Sequence, residues 1–237
     1  MQGTIANAFA IIIGGTLGLF LKKHIKPDFG QSINKALGLA VIILGLNGVI
    51  SSMFTVVDTK PTSSGELLLI ISLVIGVFVG EVLRIDARLG GISQKIECRF
   101  KLSGFAQSFV SGTLIYCVGA MAIIGALNDG LSGNSSVLMI KSVLDGISSV
   151  ILGATLGSGV IFAALPVFIY QGGISLLAGF LQPILAGELL LQICAVGYCL
   201  VICIGLNFLL DAKIKTANFL PAILVPVIWH YIQMLFT

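Results

Sequence analysis

The stretch VLMIKSVLDGISSVILGATLG, residues 137–157, is apolar along its length except for Lys141 and Asp145, which lie four residues apart in its first half. About 20 residues of helix cross the ~30 Å hydrocarbon of a bilayer, so this stretch is long enough to span one. If the helix begins near Ser135, Asp145 is roughly 15 Å along it at 1.5 Å per residue, close to the bilayer centre. Lys141 is one turn shallower. A central aspartate costs on the order of 3 kcal/mol even on the lenient insertion scale, so it should face protein or water and not lipid.

Composition fixes the solvent these charges see. The chain has 237 residues, 57% hydrophobic and 10% charged, with a mean hydropathy of +1.10. A soluble domain is about half apolar and about a quarter charged, so this chain cannot cover itself with polar surface. It reads as an all-α polytopic membrane protein, residues 1–237 forming a single transmembrane domain. The net charge of +3 is small and gathers into no groove that would suit nucleic acid.

Eight apolar runs suit spans: 4–21, 33–54, 66–83, 105–127, 135–156, 160–181, 189–210 and 218–236. Only Gly157, Ser158 and Gly159 separate the fifth from the sixth. Lysine and arginine accumulate on the cytoplasmic side and test this count. Lys22, Lys23, Lys26 and Lys35 surround the first connection, Arg84, Arg88, Lys95, Arg99 and Lys101 lie in the third, and Lys213 and Lys215 in the seventh. With both termini outside, 11 of the 13 basic residues are cytoplasmic. The positive charge follows the first apolar run instead of preceding it, so that run is expected to be an uncleaved helix. The third connection, 84–104, mixes Ile85, Leu89, Ile92, Ile96 and Phe100 with its charges and reads as a cytoplasmic interfacial linker on the inner leaflet.

An inverted repeat is also expected. One segment runs from Gly14-Gly15 to Gly45-Leu46-Asn47 and a second from Gly172-Gly173 to Gly205-Leu206-Asn207, with Pro27 and Pro183 in the respective hairpins. The offset of five spans reverses orientation, relating spans 1–3 to spans 6–8, an architecture of many secondary transporters. A rival match, IIIGGTLG at 11–18 against VILGATLG at 150–157, pairs spans 1 and 5 in one orientation.

Asp145 leads the candidate binding residues, with Lys141 its counter-ion; a self-neutralising pair that helps the helix pack is the competing reading. Asn128 and Asp129 end the fourth span, where Asn134 or Ser135 can cap the fifth helix. ALPVFIYQGG, 164–173, suggests a helix break at Pro166, with Tyr170, Gln171 and Gly172 lining a cavity or repairing the kink. Asn47 and Asn207 are symmetry mates in the repeat. Asn7 and both of these are otherwise expected to bond helix to helix. Glu81 and Arg84 form an interfacial ion pair or an inner gate.

Catalysis is not expected. The two histidines, His24 and His230, fall in a loop and near a surface, Asp145 is the deep aspartate, and the five cysteines form no C-x-x-C pair or zinc spacing. No metal or cofactor motif appears, and no phosphate-binding loop, so transport would draw on gradients.

NAFAIIIGGTLG, ALGLAVIILGLN, VGEVLRI, VGAMAIIGALNDGLSG, KSVLDGISSVILGATLGSGV, LPVFIYQGGISLLAG and NFLPAILV occur in this order over nearly the whole chain. They resemble the signature segments of the YqgA/YdfK-like family of uncharacterised bacterial inner-membrane proteins. The resemblance implies a multi-pass inner-membrane location and supplies no substrate. The residues themselves favour a secondary transporter or ion-coupled permease for a small solute, proton or cation, working by alternating access. The alternative is a non-transporting assembly factor or sensor. Its partner is the lipid bilayer, and a chain of 24.8 kDa is expected to form a homodimer.

Overall fold

A helix pairs every backbone N–H and C=O within its own segment, which hydrocarbon demands. The computed structural model describes residues 1–22, 27–57, 60–88, 91, 104–182 and 187–236, and nearly all are helical. In order these are α1 (Gln2–Lys22), α2 (Pro27–Met53), α3 (Glu66–Leu83), α4 (Phe105–Cys117), α5 (Ala120–Leu131), α6 (Ser136–Thr155), α7 (Gly159–Phe162), α8 (Ala164–Leu176), α9 (Ala178–Leu181) and α10 (Gly187–Leu210). A 3₁₀ segment (Thr216–Ile223) and α11 (Leu224–Phe236) complete the chain. One hairpin joins α2 to α3, strand β1 (Phe54–Val57) pairing antiparallel with β2 (Lys60–Ser63), Phe54 opposite Ser63. Among the described residues seven helical segments are long and apolar enough to span, eight if the bent pair α4–α5 counts as one. The expected interfacial helix at 84–104 and Pro183 fall mostly or wholly outside the described residues.

The largest departure from the sequence reading is in the fourth span. A continuous helix over 105–127 was the expectation; instead α4 and α5 meet at 62°. Gly119 makes the corner with φ 121 and ψ 148, a conformation essentially closed to residues bearing a Cβ. The helix break expected at Pro166 falls one turn before the proline, as the joint at Ala163 between α7 and α8, since Pro166 has no N–H to give the Phe162 carbonyl four residues back. Beyond the joint α8 continues through Gln171, Gly172 and Gly173 to Leu176. The turn at 157–159 is as read, with Gly157 at φ 114.

Contacts gather the chain into two units, Met1–Asn34 with Leu89–Leu185 and Lys35–Arg88 with Ala186–Thr237. In the first, α1 and α6 are the central pair. α1 buries Gly3, Thr4, Asn7, Ile11, Gly14 and Gly18 and turns Phe9, Ile13, Leu17 and Phe20 outward. Small and polar groups inside with large apolar ones outside is the pattern of a helix solvated by lipid. Gly14 lies against Gly146 and Ser149, Gly18 against Val150 and Ala154, and any Cβ at Gly14 or Gly18 would run into the α6 backbone. This small-xxx-small face lets the two backbones touch. Gly3 meets Leu138 near the start of both helices, so α1 and α6 run parallel.

The bent span packs beside α7–α8. Gly159 meets Phe105 and Ser108, Gly112 meets Ala163, and Gly130 meets Ser175, whose hydroxyl donates to the Ala126 carbonyl at 2.8 Å. These two run parallel, while α1 runs antiparallel to α7–α8, with Gly15 at Ile161 and Gly172 at Thr4.

The second unit uses the same small-residue packing. α2 and α10 cross antiparallel at Gly38, Gly45 and Gly205, and α3 lies antiparallel to the 3₁₀ segment, Gly76 at Ala222 and Gly80 at Asn218. Leu200, Val196 and Ile204 fill its interior.

Candidate functional site

Lys141 and Asp145 lie on the buried face of α6 with Leu138, Ser142, Ser149 and Leu152, residues spaced by three and four. Lys141 Nζ is 2.6 Å from Asp145 Oδ2, and the side chains are 8% and 9% exposed. At that depth each charge needs the other, because an unpaired ion in low dielectric is strongly disfavoured.

Two further helices reach the pair. Asn7 of α1 donates from Nδ2 to Asp145 Oδ2 at 2.9 Å, and the same nitrogen donates to Gln171 Oε1 of α8 at 3.2 Å. Asn7 and Gln171 are both fully buried. Three polar atoms around this chain have no partner among the described residues: Thr4 Oγ1, Asn7 Oδ1 and Gln171 Nε2. Buried polar groups in native proteins are overwhelmingly paired, so three orphans beside a buried ion pair single this place out.

The bent span supplies another wall. Tyr116, fully buried, shares a 2.7 Å hydrogen bond with Ser149, and Gly125 lies at Leu138. Asp145 falls between those two α6 positions, so the Gly119 corner is at its level along the helix. Tyr116 and Cys117 are within electrostatic range of Asp145, and Cys117 also of Lys141.

The remaining expected site residues divide between this place and others. Asp129 is buried but faces the start of α1, with its Oδ2 2.9 Å from the Met1 amino group and accepting from the Gly3 N–H at 3.2 Å. A carboxylate suits a helix N-terminus, whose free N–H groups carry partial positive charge. Asn128 is half-buried, its carbonyl accepting from the Ser132 hydroxyl. Asn134, not Ser135, makes the side-chain contact at the start of α6, accepting from Ser136 N–H at 3.1 Å. Gly172 is buried with its α-carbon facing Met1 and Thr4. Tyr170 is half-buried beside it.

The other residues belong to the second unit. Asn47 is exposed on α2. Asn207 closes the loop after α10, accepting from the Ile214 N–H at 2.7 Å and donating to its carbonyl at 2.8 Å. Glu81 pairs with Lys215 at 3.1 Å, both exposed, and not with Arg84, which ends α3 in a left-handed conformation. Among the described residues no group of three His, Cys, Asp or Glu is placed to hold a metal ion.

Asn7, Thr4 and Tyr116 were absent from the sequence-derived binding set. The available signal was an amide at a helix face otherwise made of Gly3, Thr4 and Gly14, which marks the buried stripe of a membrane helix without saying what it meets.

Residues 2–231 match the family model described as Protein of unknown function (DUF554). The chain is 33% identical to the Uncharacterized membrane protein YdfK of Bacillus subtilis (strain 168) over 226 residues, covering 95% of this chain and 94% of that protein. It is 25% identical to the Uncharacterized protein YqgA of Escherichia coli (strain K12) over 230 residues, covering 94% and 93%. No solved structure matches. The chain is a multi-pass bacterial membrane protein and belongs to the DUF554 family.

Proposed function

We propose that this protein is a secondary transporter or ion-coupled permease for a small solute or ion, in the cytoplasmic membrane, with both termini outside. The observation that carries the reading is the Lys141–Asp145 pair, buried in a membrane-spanning helix and tied through Asn7 to Gln171 on a third helix. Ionisable groups at such depth are expensive to keep and mark ion or substrate pathways. Asp145 binds a proton or cation, and Lys141 neutralises it when the site is empty.

Packing direction supports eight crossings. α1 and α6 run parallel, which requires that the chain between them cross an odd number of times; α2 and α3 are two, and the bent pair α4–α5 is the third. An inverted repeat relating spans 1–3 to spans 6–8 belongs to the same reading and rests on the two segments that run from Gly14-Gly15 to Asn47 and from Gly172-Gly173 to Asn207. Since α1 is bound to α6 and α8, the moving body is the four-span unit that contains them. A homodimer belongs to the same proposal.

Currents from proteoliposomes on a solid-supported membrane test it, comparing wild type with Asp145→Asn across proton, sodium, amino-acid and organic-acid jumps. We expect a wild-type current that a folded Asp145→Asn protein lacks. Silence from the wild type in every jump would put the assembly-factor or sensor reading ahead, for which the close packing of α1 on α6 already speaks.

A further inference from the structure

A carboxylate accepts hydrogen bonds and donates none, which fixes the polarity of everything attached to it. Ionised Asp145 takes N–H donors from Lys141 and Asn7 at Oδ2. Asn7 must therefore turn its NH₂ toward Asp145, and the same NH₂ obliges Gln171 to present Oε1. The atoms left over are the opposite ends of the two amides, Asn7 Oδ1 and Gln171 Nε2, both without a partner among the described residues.

Protonation reverses this logic. When a proton adds to Oδ2 to form an O–H bond, Asp145 becomes a donor and Lys141 remains an ammonium, so the site goes from neutral to singly positive. Asn7 then meets it with Oδ1, after a half-turn of the terminal amide torsion, which is broad and close to two-fold. Gln171 turns likewise and donates from Nε2 to the same Oδ1, which has two lone pairs. Two amide atoms are again left over, Asn7 Nδ2 and Gln171 Oε1. The number of unsatisfied groups is the same in both arrangements, so the charge on Asp145 selects between them.

The surroundings agree with a proton as the ion. Asp145 is met by Lys141 on its own helix and by the neutral amide of Asn7 on α1, behind which stands the neutral amide of Gln171 on α8, with Tyr116 and Cys117 of α4 within electrostatic range; Asp129 of α5 is engaged with the start of α1. The atoms that bond Asp145 Oδ2 are nitrogens, whereas a sodium ion needs several oxygens. The orphan oxygens, Asn7 Oδ1 and Thr4 Oγ1, do not bond it.

We propose that Asp145 takes up a proton and that Asn7 is the positioning residue which reports it, by reversing its amide, to Gln171 on α8. This deepens the transport reading and rests on it for its physiological use.

The test is a pH titration of the whole protein in nanodiscs of phosphatidylethanolamine and phosphatidylglycerol. Infrared spectroscopy follows the protonated-carboxyl stretch that Asp145→Asn removes, and NMR follows the side-chain amides of Asn7 and Gln171. The expected result is one midpoint shared by all three signals, with no change when sodium is added at fixed pH. In Asn7→Leu the Gln171 signal should lose its response while the carboxyl still titrates. In Gln171→Met the carboxyl and Asn7 should still titrate together. A wild-type Gln171 amide that ignores the Asp145 midpoint overturns the relay, as does one that still follows in Asn7→Leu. A sodium response, or no protonated Asp145 at any pH where the protein stays folded, overturns the proton assignment. The wild-type titration decides the matter even if a variant fails to fold. Absent currents with an intact relay would sink the transport reading alone; currents with an unresponsive Gln171 would sink the relay alone.

Discussion

Lys141 and Asp145 stabilise each other at a position where either one alone is a liability. With Asp145 removed, the Lys141 ammonium is left buried without its counter-ion, and the converse holds for the carboxylate. Breaking a buried pair by deleting one partner costs roughly 3–5 kcal/mol, whereas replacing both by apolar residues of similar volume is often close to neutral. Lys141→Met and Asp145→Leu singly should therefore each destabilise the protein by about that amount, and the double variant by much less, so that the coupling energy exceeds the cost of either single change. Chemical unfolding in detergent measures it. If the double variant regains stability yet carries no current, the pair serves more than packing. Recovery of any assayed activity together with stability would assign it to packing alone.

At the level of elements, the corner at Gly119 and the continuity of α8 through Gly172 and Gly173 depart from what glycine content suggested. Gly119→Ala places a Cβ at φ 121 and should cost about 1–3 kcal/mol, the strain of a conformation reserved for glycine. Gly173→Ala, in a regular helix with no heavy atom within 4 Å of an added Cβ, should be neutral or stabilise by about 0.5–1 kcal/mol. Thermal unfolding of the two variants beside the wild type checks both. Were Gly173→Ala the damaging one, α8 would be interrupted at its glycines after all. Pro166 marks the joint one turn upstream of itself, at Ala163, because it has no N–H for the carbonyl four residues back. Nothing in VGAMAIIG distinguishes a corner glycine at Gly119 from one that permits close approach, such as Gly125.

For the whole molecule, the direction in which helices pack becomes a statement about sidedness. Eight crossings with the termini outside put Ser132 and Glu188 on the outer face and Lys213 on the inner. Single-cysteine variants Ser132→Cys, Glu188→Cys and Lys213→Cys in a cysteine-free background should divide accordingly, the first two reacting with a membrane-impermeant maleimide in intact cells and the third only after lysis. If the bent pair entered and left on one side, the outcome would be inverted for all three.

The sequence by itself determined the solvent, most of the spans, the asymmetry of basic residues and the family. These are local properties: about 20 apolar residues form a membrane helix whatever they later touch. For the same reason it isolated Lys141 and Asp145, since a charge in an apolar run is conspicuous without any partner being known. Only the tertiary structure decided that Asp145, Asn7 and Gln171 form one network, the bonds joining residues 138 and 164 positions apart in the chain. Which buried stripe meets which depends on where glycines let two backbones touch, as at Gly14 and Gly18 against α6, and such a fit is a property of pairs of helices that no single segment carries.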